Sequence, residues 1–144
     1  EAKSYIEKGD LVPDAVTIGM MNNKIESHPE AKGFIFDGFP RTAAQAEALD
    51  DFLNTKESPI SKMIALAVDD EELVKRLLNR GKDSGRADDQ DESIIQNRID
   101  VYNEKTLPVA SYYDEQNKYI AVKGVGSIEK IFNRLCKVID EIID

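Results

Sequence analysis

The sequence predicts an α/β protein in which a parallel sheet is flanked by helices on both faces. Short runs at Phe34-Ile35-Phe36, Met63 to Val68 and Tyr119 to Val122 have strand length and are almost continuously apolar, the pattern of strands buried on both sides. Longer segments with apolar residues at helical spacing alternate with them, and that alternation specifies parallel pairing with helical crossovers. The 144 residues, 41% hydrophobic, supply one core, so residues 1–144 are read as a single domain or most of one.

In chain order, Glu1 to Lys8 has helical composition, with Ala2, Tyr5 and Ile6 on a shared face and Gly9 as terminator. Leu11 to Asp14 is extended, because the residue before a proline is pushed out of helical geometry. A helix follows from about residue 14 to 26, then the strand 34–36 between Gly33 and Gly38. Thr42-Ala43-Ala44-Gln45 has the form of a capping box opening an alanine-rich helix to about Leu53. After the second strand, Asp69 and Asp70 start a helix through Leu73, Leu77 and Arg80. Residues 81–90 hold two glycines and no apolar periodicity, which predicts a mobile loop. A long helix from about 91 to 106 presents Ile95, Ile99 and Tyr102, and Pro108 ends or kinks it. After the third strand, Ser127 caps a helix whose Ile128, Ile131, Phe132, Leu135, Ile139 and Ile142 form a core stripe.

The net charge of -9 argues against nucleic acid or an anionic membrane as partner, since both require a basic face. No apolar run reaches the roughly 20 residues of a membrane span. The single cysteine, Cys136, permits no disulfide within the chain and no multi-cysteine zinc site, a composition suited to the cytoplasm. Cys136 is read as packing, and His28, in a Ser-His-Pro turn, as an exposed loop residue.

Against this acidic background the arginines are placed selectively. Five of the six, Arg41, Arg76, Arg80, Arg86 and Arg98, fall in constrained contexts, although thirteen lysines supply ordinary surface charge. Guanidinium offers a rigid fork of donors that grips phosphate oxygens in pairs, so the set points to a site handling several phosphates without nucleophile or general base. Arg76 and Arg80 lie four apart on one helix face and repel each other, a penalty that a shared polyanion would reverse. Arg41 follows the turn Asp37-Gly38-Phe39-Pro40; its alternative role is an ion pair with an acid such as Glu47. Asp37, at a strand end, either holds a hydrated magnesium ion or caps its turn.

Asp37-Gly38-Phe39-Pro40-Arg41-Thr42, then Arg80-Gly81 with Ser84-Gly85-Arg86-Ala87-Asp88-Asp89, and the spacing onward to Arg98, resemble the adenylate kinase family of nucleoside monophosphate kinases, in its short-lid bacterial form. The resemblance implies a P-loop kinase-like core and reversible transfer of a phosphoryl group from MgATP to AMP, giving two ADP. It implies that Asp10, Leu11, Val12, Gly38, Phe39, Pro40, Arg41 and Gln45 meet AMP, with Gln45 reading the adenine edge. Arg86 and Arg98 would also contact AMP and grip phosphates at the transfer point. Arg76, Arg80 and Gly126 would serve ATP, and Asp37 would hold Mg2+ through water. Residues 1–27 would form part of the AMP-binding region and the following helix, and residues 81–90 a short lid without zinc. A cytoplasmic monomer is implied.

One departure stands out: no Gly-x-x-x-x-Gly-Lys occurs in the 144 residues, although the family cradles ATP phosphates with that loop. Glu1 opens the chain in a helical segment without a methionine, so the first strand and phosphate loop are expected upstream, and these residues alone are expected to be a poor kinase. The near alternative is a UMP or CMP kinase, which Thr42 and Gln45 disfavour. The alternative of another class is a truncated, non-catalytic nucleotide-binding or interaction module.

Overall fold

Two strands, β1 (Met63–Ala67) and β2 (Tyr119–Lys123), pair in parallel, with Met63 opposite Tyr119 and Ala67 opposite Lys123. Bonds from Met63 N–H to the Lys118 carbonyl (2.8 Å) and from Gly124 N–H to the Ala67 carbonyl (2.9 Å) extend the ladder at its two ends. Gly124 is needed at the second of these, because a Cβ there would press into Val68 and Leu66. The structure, a computed structural model, describes Tyr5, Glu7, Lys8 and residues 12–143. Most of the expected first helix, its terminator Gly9, and the candidate residues Asp10 and Leu11 lie outside the described residues.

The helices are α1 (Asp14–Glu26), α2 (Ala43–Thr55), α3 (Asp70–Ser84), α4 (Glu92–Val101), α5 (Leu107–Asp114) and α6 (Ile128–Ile143). Thr42 caps α2 by accepting from Gln45 N–H at 3.1 Å, and Ser127 caps α6 by accepting from Lys130 N–H at 3.3 Å. The α/β class and the parallel pairing agree with the sequence. One apolar cluster joins α1 to α2 through Ile25, Phe39, Leu49 and Leu53. A second joins α2 to α5 and β1 through Ala46, Val109 and Tyr113, with Met63 against it. Beside the second cluster the Asp50 carboxylate accepts hydrogen bonds from Tyr112 Oη (2.9 Å), Tyr113 Oη (3.2 Å) and Gln116 Nε2 (3.3 Å), tying α2 to α5.

Four expectations are corrected. Phe34-Ile35-Phe36 is not a strand. A strand requires a hydrogen-bonded neighbour, and among the described residues none runs beside this segment; Ile35 is 87% exposed while Phe36 packs near Phe39. The apolar stripe of α6 is not a finished core, since Ile128 is 88% and Phe132 61% exposed. α6 lies chiefly against β2, and a two-stranded sheet is too narrow to cover its 16 residues.

Residues 81–90 are partly helical rather than a loop throughout. α3 continues to Ser84, Gly85 turns the chain with φ of 66°, and Ala87–Asp89 form a 3-10 turn. Gly81 lets this turn fold back on α3, because a Cβ there would collide with the Asp89 carbonyl. Finally, the long helix stops at Val101, passes through a π turn over Tyr102–Thr106 and resumes as α5. Pro108 sits in the first turn of α5, where the missing N–H is not required, so it opens a helix instead of kinking one.

Candidate active site

Two adjacent carboxylates, Asp88 and Asp89, organise the arginines. Asp89 has no exposed surface, yet it receives Arg80 Nε at 2.5 Å and Arg80 Nη2 at 2.9 Å, and Arg98 Nη1 at 2.6 Å. Asp88, also buried, receives Arg86 Nε at 3.1 Å and Nη2 at 2.9 Å, with Arg98 Nη1 3.2 Å away. Three guanidinium groups from α3, the 3-10 approach and α4 are thus brought together around two acids. Burial pushes the Asp89 carboxyl up, but the hydrogen bonds and charges of Arg80 and Arg98 outweigh it, and the group is held below its ordinary value. For Asp88 the Arg86 hydrogen bond dominates in the same direction. Arg86 is correspondingly raised, first by its bond to Asp88.

Arg41 faces this cluster without an ion pair of its own among the described residues. Its Nε donates to the Gly38 carbonyl at 2.7 Å, so it folds back over the turn. Gly38 permits this with φ of 70°, where a Cβ would crowd Arg41 Nη2 at 3.2 Å. The turn contains a cis Phe39–Pro40 bond, and Phe39 is buried. Thr106 Oγ1 donates to the Arg41 carbonyl at 2.7 Å, fastening the turn to the π segment after α4. Desolvation lowers the Arg41 pKa first, and the positive fields of Arg98 and Arg86 lower it further, while Asp37 and Asp88 oppose them. The ion pair with Glu47 does not form. Arg41 therefore sits where positive charge is already in excess, a place that favours an incoming anion.

Gln45 is committed on both ends of its amide. Oε1 accepts from Arg41 N–H at 2.7 Å, and Nε2 donates to Asp14 Oδ1 at 2.7 Å. Thr42 Oγ1 also reaches both Asp14 oxygens at 3.4 Å. The capping box is half formed, because the Gln45 amide reaches Arg41 N–H and not that of Thr42. Val12, half-buried, lies just ahead of α1.

Arg76 does not join the arginine cluster. Its Nε pairs with Glu72 at 2.7 Å and its Nη1 donates to the Gly124 carbonyl at 2.8 Å. Arg76 and Arg80 are thus relieved of mutual repulsion by separate acids in the fold. Arg134, the arginine outside the motifs, donates through Nη1 to the Lys123 and Val125 carbonyls, both at 2.8 Å. Arg76 and Arg134 together brace the Gly124–Gly126 loop, in which Gly126 has φ of 122°. Asp37 is exposed at the turn, and among the described residues no group of three potential metal ligands exists. A lone carboxylate fits an ion that keeps its waters and rides on nucleotide phosphates, and does not fit an all-protein metal cage.

Sequence reasoning had named Arg80, Arg86 and Arg98 but not the acids that hold them. The signal was present: an Asp-Asp pair nine residues from both Arg80 and Arg98, in a chain that clusters its arginines. Asp14 and Arg134 were missed as well, and neither position is distinctive without the fold.

Comparison with known proteins shows the family. The family profile described as adenylate kinase matches residues 1–118. The adenylate kinase of Flavobacterium psychrophilum is 55% identical over 141 residues, covering 98% of this chain and 74% of the relative. That of Flavobacterium johnsoniae is 54% identical over 142 residues, covering 99% and 75%. A more distant relative, the adenylate kinase of Leptospira biflexa, is 46% identical over 139 residues, covering 96% and 74%. A match of this extent, on a chain whose Arg80, Arg86 and Arg98 gather around Asp88 and Asp89, fixes the assignment: the chain belongs to the adenylate kinase family, nucleoside monophosphate kinases that act as phosphotransferases.

Proposed function

We propose that the full-length protein transfers a phosphoryl group reversibly from ATP to AMP, giving two ADP, in the cytoplasm. The observation that carries this reading is the gathering of Arg80, Arg86 and Arg98 around Asp88 and Asp89, with Arg41 in their field. Phosphoryl transfer needs little covalent help from a protein. It needs positioned positive charge over the phosphate oxygens, already in place before the reaction begins.

The carboxylates provide that preorganisation in the absence of nucleotide. They keep like-charged arginines within reach of one another and leave further N–H donors free for phosphate oxygens. Arg41, Arg86 and Arg98 would act near the AMP phosphate and the transferred group, Arg80 on the ATP side. Arg76 would contribute through the Gly124–Gly126 loop, which it braces against the ATP base. Residues 81–90 would act as a lid that excludes water. Asp37 would hold a hydrated magnesium ion, which neutralises phosphate charge when bound with ATP. ATP phosphates also require a backbone cradle, which these 144 residues do not encode as Gly-x-x-x-x-Gly-Lys, so turnover is proposed for the full-length protein.

The test is turnover of AMP, CMP and UMP by the full-length enzyme, wild type and Arg41→Ala. A clear preference for AMP, lost severely in a folded Arg41→Ala protein, supports the reading. Preference for a pyrimidine nucleotide, or an unaffected variant, contradicts it.

A further inference from the structure

We infer that Asp14 and the Arg41 backbone N–H lock the Gln45 amide in one orientation, and that this lock makes the site selective for 6-amino over 6-oxo purine monophosphates. The inference rests on the proposed role of Gln45 in reading the AMP base.

An amide side chain is nearly symmetric in shape, and its two ends are told apart only by their hydrogen-bond partners. Here the partners are unambiguous. A carboxylate at pH 7 only accepts, so the 2.7 Å contact to Asp14 must be made by Nε2. A backbone N–H only donates, so the 2.7 Å contact from Arg41 must be received by Oε1. These contacts use one of the two N–H donors and one of the two lone pairs. The amide, in a residue only 2% exposed, retains one donor and one acceptor without a protein partner. A buried amide with half its capacity unmet is costly unless a ligand completes it.

That remaining donor and acceptor complement the adenine edge, where the 6-amino group donates and ring N1 accepts. A 6-oxo purine presents the reverse, a carbonyl that accepts and an N1–H that donates. To receive it the amide must rotate by half a turn. Oε1 would then face the Asp14 carboxylate, and Nε2 would face the Arg41 N–H. Both existing hydrogen bonds would be lost, and each would be replaced by a like-with-like contact in a buried place. Asp14 is therefore a positioning residue: it need not touch the base, but it determines which base edge Gln45 can meet.

The experiment compares kcat/KM for AMP and IMP in full-length wild type, Asp14→Asn and Gln45→Leu, with KM for ATP as a control. Asp14→Asn keeps the shape of the side chain but allows it to donate as well as accept, so a turned amide keeps a hydrogen bond at that end and is opposed by the Arg41 N–H alone. The inference predicts that the AMP-over-IMP ratio falls at least about tenfold in Asp14→Asn and in Gln45→Leu, with KM for ATP unchanged. If Gln45→Leu collapses the ratio while Asp14→Asn retains it, the lock is overturned and the reading of Gln45 survives. If Gln45→Leu leaves the ratio intact, the base-reading role fails and the lock with it. A ratio that falls only together with a general rise in KM for ATP overturns the positioning role in favour of simple loss of structure.

Discussion

Replacing Asp89 by alanine would remove the acid that joins Arg80 to Arg98, and its consequences can be worked from the geometry. Three charge-assisted hydrogen bonds disappear, two from Arg80 and one from Arg98. Each such bond contributes about 1.5 to 3 kcal/mol when its partner cannot return to water. The Arg80 side chain is 44% exposed and rehydrates readily, so its two bonds are discounted strongly; that of Arg98 is 23% exposed and recovers less. The net loss is about 3 kcal/mol, the lower end expected for breaking a buried charge pair on one side. For a chain of this length that lowers Tm by about 10 °C. Differential scanning calorimetry of the full-length protein reads the stability, and turnover at a temperature where both proteins stay folded reads the function. Turnover should drop well beyond the fraction unfolded, because the two arginines lose their shared anchor. A variant with wild-type Tm and wild-type turnover would show that Asp89 neither stabilises nor positions these groups.

Other outcomes follow from single contacts. Gly81→Ala should impair turnover and lower Tm, since the new methyl group meets the Asp89 carbonyl and forces the Ala87–Asp89 turn away from α3; kinetics indistinguishable from wild type would contradict the close packing. Burial, and then the bond to Asp50, pushes the Tyr112 phenol up to about 12, and burial raises that of Tyr113 further. Because the folded state holds these pKa values above the unfolded one of about 10, the associated stability is fully present below pH 10. It is lost as pH rises through 12. A spectroscopic tyrosinate titration should therefore show Tyr112 and Tyr113 among the late phenols, and Asp50→Asn should bring both nearer to 10. An unchanged titration in that variant would remove Asp50 as a cause.

Much of this was legible in the chain because the deciding interactions are local. Thr42 and Gln45 announce the start of α2 through a contact three residues long, and Ser127 does the same for α6. β1 and β2 show as apolar runs of strand length, although Leu66 stays 48% exposed and only Val122 of the two strands is buried. Phe34-Ile35-Phe36 has the same spelling, but a strand is defined by its neighbour, and the hydrogen-bonding partner is not written in the segment itself. The stripe of α6 fails for the same reason: amphipathicity states which side of a helix is apolar, not whether anything covers it. At the site, the arginines stood out by their rarity among thirteen lysines. The acids that hold them were hidden among 28 acidic residues, and only the folded contact distinguishes Asp89, fully enclosed, from its many solvated counterparts. Arg76 was grouped with Arg80 by helical spacing, yet one turn of helix points it to the Gly124 carbonyl instead.

The claim that the gathered guanidinium groups act on nucleotide phosphates is tested most directly at Arg98, which contacts both Asp88 and Asp89 and whose charge is felt at Arg41. The decisive measurement is kcat for ATP plus AMP in full-length Arg98→Ala, alongside its circular dichroism. The account predicts a loss of roughly 100- to 1000-fold in kcat, the magnitude of removing one preorganised donor from a transition state, with the folded spectrum preserved. A folded Arg98→Ala protein that turns over within a few-fold of wild type would contradict it.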